Sequence, residues 1–219
     1  MTTSEYLCGN RYPGRIIAAG ITPGGRLVYA YAIMGRSAGS RNRVFRTHGD
    51  ELYTVPFDAT SIKDPTLLIY PAILAAGSRK IVANGNHSLD IQRGLFESKS
   101  PAQCLKSRTY EPDDPHFTPR ISLVIELDAF EFGILRRLPD GSCDRSFWRL
   151  PRKPGVLYMI HTYEGDGNPL PSFRGEPRVL EAEDGYADIL WNSLDKENRI
   201  SLYVREGDDT VVINAREAE

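Results

Sequence analysis

The sequence predicts a mixed α+β fold dominated by antiparallel sheets, on three observations. Apolar runs recur in pairs joined by short Gly/Pro turns, which is the pattern of β-hairpins. Only two or three stretches carry helical spacing. No G-x-G-x-x-G stands between a strand and a helix, so a parallel dinucleotide-binding unit is not expected. No repeat, low-complexity segment or linker divides the 219 residues, and a single domain over 1–219 is expected.

Residues 15–22 (R-I-I-A-A-G-I-T) read as a buried strand, 23–25 (P-G-G) as a turn and 26–34 as a second strand. A third apolar run ends at residues 67–70 and a fourth spans 80–83, closing on the turn dipeptide Asn84-Gly85. Residues 89–98 and 101–107 read as helical pieces. Residues 110–121 (Y-E-P-D-D-P-H-F-T-P-R-I) hold three prolines, three carboxylates, one His and one Arg. Proline removes a donor, which excludes a helix interior or a central strand there. A stiff, extended loop at a sheet edge is expected, either a plain connector or a platform for functional side chains. It feeds the run 121–127, which forms a hairpin with 131–135. Residues 139–154, rich in Arg and Pro, read as irregular. Residues 156–163 are a strong strand, 165–177 a long loop or lid, and 182–194 the best helix. A hairpin of 200–204 and 210–214 closes the chain.

Hydrophobic residues at 41% and charged residues at 26% allow an ordinary core. A net charge of −2 offers no basic footprint for nucleic acid. No apolar run is long enough to cross a membrane, and residues 1–10 lack a signal-peptide pattern. Cys8, Cys104 and Cys143 form neither a zinc spacing nor a disulfide framework. His48, His87, His116 and His161 show no ligand spacing, so no metal is expected. These features fit a cytoplasmic protein that acts on a small molecule, without membrane or nucleic-acid partners, and leave a homo-oligomer open.

Two clusters could carry chemistry. Arg36, Arg41 and Arg43, interleaved with Ser37, Ser40 and Asn42, are either a phosphate-binding fork or a solvated loop. His87, beside Asn84 and Asn86 on a turn at a strand end, is a candidate proton carrier or a surface histidine.

Five stretches resemble, in order, the archaeal-type IMP cyclohydrolase family: Y-P-G-R at 12–15, M-G-R-S-A-G-S-R-N-R at 34–43, I-V-A-N-G-N-H-S-L-D at 81–90, the 110–121 stretch, and residues 161–177. The resemblance runs from about Tyr6 to about Glu206. It implies a four-layer αββα sandwich similar to N-terminal-nucleophile hydrolases. Cys8 is internal to a sequence that begins at Met1, and a fold without the processed nucleophile is expected. The implied reaction is an intramolecular dehydrative ring closure, formyl-AICAR to IMP plus water, with no cofactor. The implied catalytic residues are Arg36, Tyr70 and Glu111, with His87 as a second proton carrier. Ser37, Arg41, Arg43, Asn84, Asn86, Thr118, Arg120 and Tyr163 are the candidate substrate-binding residues.

Two positions depart from the family pattern: Leu89, where a carboxylate is usual, and Leu123, where Gly is usual. Either they line the pocket or they point into the core. If they line it, the scaffold is suited to a less polar substrate of secondary metabolism. A non-catalytic nucleotide-binding domain and a self-processing amidohydrolase complete the alternatives.

Overall fold

The computed structural model describes residues 1–61 and 69–217. Residues 67 and 68 of the third apolar run lie outside them; Tyr70 opens a strand. The described residues form mixed α+β structure with two antiparallel sheets and few helices.

The first sheet contains β1 (Arg15–Ile21), β2 (Leu27–Met34), β10 (Val156–His161), β11 (Arg178–Glu181), β12 (Arg199–Glu206) and β13 (Asp209–Asn214), in the order β11-β10-β1-β2-β12-β13. The second runs in sequence order through β3 (Val44–His48), β4 (Glu51–Val55), β5 (Tyr70–Ala76), β6 (Arg79–Ala83), β7 (Arg120–Ile125), β8 (Ala129–Arg137) and β9 (Cys143–Pro151). The α-helices are α1 (Thr3–Leu7), α2 (Ala38–Arg41), α3 (His87–Phe96), α4 (Pro101–Cys104) and α5 (Tyr186–Ser193). No helix among the described residues is long and apolar enough to cross a membrane.

Strand alternation sorts the apolar side chains. Ile17, Ala19 and Ile21 of β1, with Tyr29, Tyr31 and Ile33 of β2, join Ile121, Leu123 and Ile125 of β7 in one core between the sheets. Each fully buried Ile there contributes about 1.5–3 kcal/mol. The opposite faces of β1 and β2, with Ile16, Ala18, Ala30 and Ala32, pack with Leu7 of α1 and Tyr186 and Leu190 of α5. Val124 of β7 and Ile81 of β6 pack with Ile91 and Leu95 of α3 on the far side of the second sheet.

Several expectations are corrected. Residues 139–154 are not irregular, because they contain β9, the edge strand beside β8. Arg145 and Arg149 face water and half-buried Asp144 pairs with Arg136 at 2.8 Å, while Trp148 and Leu150 pack toward the core between the sheets. An edge also tolerates the terminal Pro151. The 110–121 segment does not sit at a sheet edge, because it enters β7, an interior strand paired with β6 and β8. The helix expected at 182–194 starts only at Tyr186, after Gly185 at φ 73°. β3, β4, β11, α1 and α2 were not expected.

The start of β1, the end of β2 and the end of β10 meet at one end of the first sheet, since Arg15 pairs with Ile33 and Ile16 with His161. The end of β6 and the start of β7 meet in the second sheet, since Ala83 pairs with Ser122. Gly14 makes the approach to β1 possible. It has φ +82°, and a Cβ there would lie 2.6 Å from Tyr163 Cδ2 and collide with Thr162 Oγ1. Gly14→Ala is therefore expected to cost about 2–4 kcal/mol, from a strained backbone and overpacking together. Thermal unfolding followed by circular dichroism checks it; an unchanged midpoint would mean that the end of the sheet gives way freely.

Candidate active site

A cavity of about 410 Å³ opens where these strand ends meet. Tyr12 and Arg15 line it from the start of β1, Arg36 and Ser37 from the end of β2, and Tyr163 from the end of β10. Glu111, Asp113, His116 and Thr118 reach it from the segment before β7.

That segment is a closed turn rather than an extended one. Its prolines withhold donors, and Asp113 organises what remains. The Asp113 carboxylate accepts from Thr118 N at 2.7 Å and from the Thr118 hydroxyl. Its carbonyl accepts from His116 N at 2.9 Å and Phe117 N at 3.0 Å. Glu111 N donates to Thr118 O at 2.9 Å, which sets Glu111 and Thr118 side by side at the cavity.

Glu111 is 1% exposed. Neither carboxyl oxygen has a hydrogen-bond partner among the described residues, and Arg120 Nη1 lies 3.6 Å away, at ion-pair rather than hydrogen-bond distance. Burial raises its pKa from 4.5 to about 7; Arg15, Arg120 and Arg43 oppose that rise, and Asp113 adds to it. A carboxyl that titrates near neutrality can both take and return a proton at physiological pH.

Arg15 is the cation that weighs most on Glu111. It is buried, and its Nε has no partner among the described residues. Burial works against its charge, yet Glu111 holds the guanidinium above its ordinary value. Arg120 donates to Thr109 O at 3.1 Å and approaches His87 Nδ1 at 3.5 Å. The Arg120, His87 and Glu111 side chains converge on Gly85, where an added Cβ would stand 2.7 Å from Arg120 Nη1 and 3.3 Å from Glu111 Oε1.

Of the expected site residues, Arg36, Ser37, Glu111, Thr118 and Tyr163 share the cavity. Thr118 Oγ1 and Tyr163 Oη are 2.5 Å apart, and burial pushes the Tyr163 phenol to about 12. Arg36 lies over the Tyr12 ring at 4.9 Å, pairs with Asp166 and donates to Gly167 O at 3.0 Å. It thereby ties down the loop expected as a lid. That loop is further held by buried Phe173, whose ring packs against His161 at 4.4 Å.

Other expected residues have different tasks. His87 is fully buried, and Nε2 is 3.1 Å from Ile121 O. A carbonyl only accepts, so Nε2 carries the proton and Nδ1 faces Arg120. Burial and the Arg120 charge push its pKa down to about 3, so it stays neutral and is poorly suited to carry a proton. Asn84 clamps the start of β7, donating to Pro119 O at 2.9 Å and accepting from Ile121 N at 2.7 Å. Asn86 is exposed at the start of α3. Tyr70 Oη pairs with Tyr31 Oη at 2.8 Å, and its side chain does not line the cavity.

Arg43 does not line it either. Its guanidinium donates to Ser40 O at 2.8 Å and Met34 O at 3.1 Å, serving carbonyls of the turn after β2. Arg41 donates to Asn198 Oδ1 at 3.3 Å. Leu89 is exposed on α3, and Leu123 is fully buried between the sheets; neither lines the cavity. Tyr12, Arg15, Asp113, His116 and Leu170, not expected as site residues, do. One usable signal preceded Arg15: a charged residue opens an otherwise apolar strand directly after Tyr12-Pro13-Gly14.

No curated protein matches the chain. The model of the IMP cyclohydrolase-like protein family matches residues 12–210, a span that includes every residue lining the cavity. The chain belongs to the IMP cyclohydrolase-like protein family.

Proposed function

We propose that this chain is a cyclase that converts formyl-AICAR to IMP and water. Family membership supports a cyclohydrolase-type enzyme. The observation that carries the finer reading is the buried, near-neutral carboxyl of Glu111, set among guanidinium groups on the wall of a cavity of about 410 Å³.

In the reaction, the carboxamide nitrogen bonds to the formyl carbon and gives up one proton. The formamide nitrogen gives up a second as the C–O bond breaks, and the oxygen leaves as water. Glu111 takes the first proton and returns it to the departing oxygen. Arg15 faces the charge that develops on that oxygen, a task for a fixed donor in a site shielded from water. The enclosing walls hold the reacting atoms together, which contributes much of the acceleration. Arg36 holds the 165–177 loop against the opening. The motive for a less polar substrate weakens, because Leu89 and Leu123 lie away from the cavity.

The same reading assigns the chain one domain with the four-layer αββα order of N-terminal-nucleophile hydrolases, without a processed nucleophile. Two sheets sharing a core, with α1 and α5 outside one and α3 outside the other, support it. The test is an assay with formylated AICAR, following IMP absorbance. Turnover well above the spontaneous rate is expected; IMP formation no faster than in buffer removes the reading.

A further inference from the structure

A second cavity, of about 490 Å³, adjoins the first. His116 and Leu170 line both, and Leu170 N donates to His116 Nδ1 at 3.2 Å, so one hydrogen-bonded pair forms the ridge between them. Three arginines line the second cavity, and no carboxylate does.

Arg136 is occupied, donating to Asp144 Oδ2 at 2.8 Å and Phe173 O at 2.9 Å. The other two are exposed. Arg137 lies over the Phe117 ring at 4.4 Å, which orients the guanidinium without consuming its donors. Phe117 holds that position from a left-handed backbone, at φ 45°. The nearby Asp140 accepts from Ser142 N at 2.9 Å and Ser142 Oγ at 2.7 Å. Arg174 is held through its backbone, which donates to Glu164 Oε1 at 2.7 Å, and its guanidinium has no partner among the described residues. Two positive forks thus border a hollow whose other walls include Pro115, Pro139 and Pro169; Asp140 acts on the Arg137 charge from a distance, and no carboxylate among the described residues forms an ion pair with either guanidinium. Guanidinium forks match the oxygens of phosphate in geometry and charge.

The geometry points to this second cavity as an oxyanion subsite that takes the phosphate end of a ligand whose body occupies the first cavity. The inference rests on the nucleotide reading above and supplies the phosphate contacts that Arg41 and Arg43, engaged elsewhere, do not.

Calorimetric titration of the full chain tests it, using IMP, inosine and inorganic phosphate as probes, on wild type, Arg174→Ala and the Arg137→Ala/Arg174→Ala double variant. Both side chains are exposed, and thermal unfolding checks that the variants remain folded. IMP affinity is expected to fall about tenfold or more per guanidinium removed, in line with charge-assisted hydrogen bonds. Inosine affinity should stay unchanged, and inorganic phosphate should displace IMP from wild type. Equal IMP affinity in the double variant overturns the inference. So does phosphate that binds without displacing IMP, which would mark a separate effector site. Wild type that binds neither IMP nor inosine contradicts the nucleotide reading instead. In that case, phosphate binding lost in the double variant keeps the oxyanion subsite, and absence of phosphate binding to wild type removes it.

Discussion

Glu111→Gln is expected to lower turnover with formylated AICAR by about 100–10,000-fold, the range for loss of a positioned proton carrier. IMP affinity should change little, because Gln keeps the shape of the side chain. Steady-state kinetics beside an IMP titration separates the two; full turnover in the variant would remove Glu111 from the chemistry. The same substitution has a stability consequence. The folded pKa of about 7 lies above the ordinary 4.5, so the native state binds the extra proton between those values. Its stabilising effect is complete below 4.5 and is lost as pH rises through 7. Above that, wild type carries a cost of about 3 kcal/mol that Gln does not, since each tenfold difference in proton affinity between folded and unfolded chain corresponds to about 1.4 kcal/mol. Glu111→Gln should therefore melt higher than wild type at pH 8–9 and show little difference at pH 5.

Arg15→Met is expected to have the second-largest effect, and a distinctive one. Methionine replaces the apolar stem of the arginine and removes its charge. Of the groups that hold the Glu111 pKa down, Arg15 is the strongest. Its loss should move the kinetic midpoint above 7 and leave less ionised carboxylate at neutral pH. If Arg15 also faces the developing charge on the leaving oxygen, turnover at the new plateau falls by about 100–1,000-fold, as when one oxyanion donor is deleted. A merely structural role would lower activity without moving the midpoint, so the pH–rate profile decides.

Elements with a continuous apolar run between turn residues were legible in the sequence. β1 and β2 were, because two apolar runs flank Pro23-Gly24-Gly25, and both are buried on both faces. β9 was not, because an edge strand with Arg145 and Arg149 facing water carries half the apolar signal of an interior strand. β3 and β4 were missed for a related reason: Arg46, Thr47 and His48 are exposed, and the strand signal is short.

The candidate site divides in the same way. The segment holding Glu111 stood out by its density of prolines and carboxylates, and family resemblance drew attention to Arg36. What the chain's order could not supply was the direction of each side chain. Arg43 has the residue type and neighbours of a phosphate ligand, but Met34 O and Ser40 O occupy it. His87 has those of a proton carrier, but enclosure beside Arg120 keeps it neutral. Arg15 reads as the first residue of a strand, and only the meeting of β1, β10 and the turn before β7 places it beside Glu111.

The pH dependence of wild-type kcat/KM with formylated AICAR, measured from pH 5 to 9, tests the central claim most directly. A carboxylate that must be ionised to accept the first proton predicts a single rising limb with its midpoint near 7, absent from the residual rate of Glu111→Gln. A flat profile down to pH 5, or the same midpoint in the variant, would contradict the account.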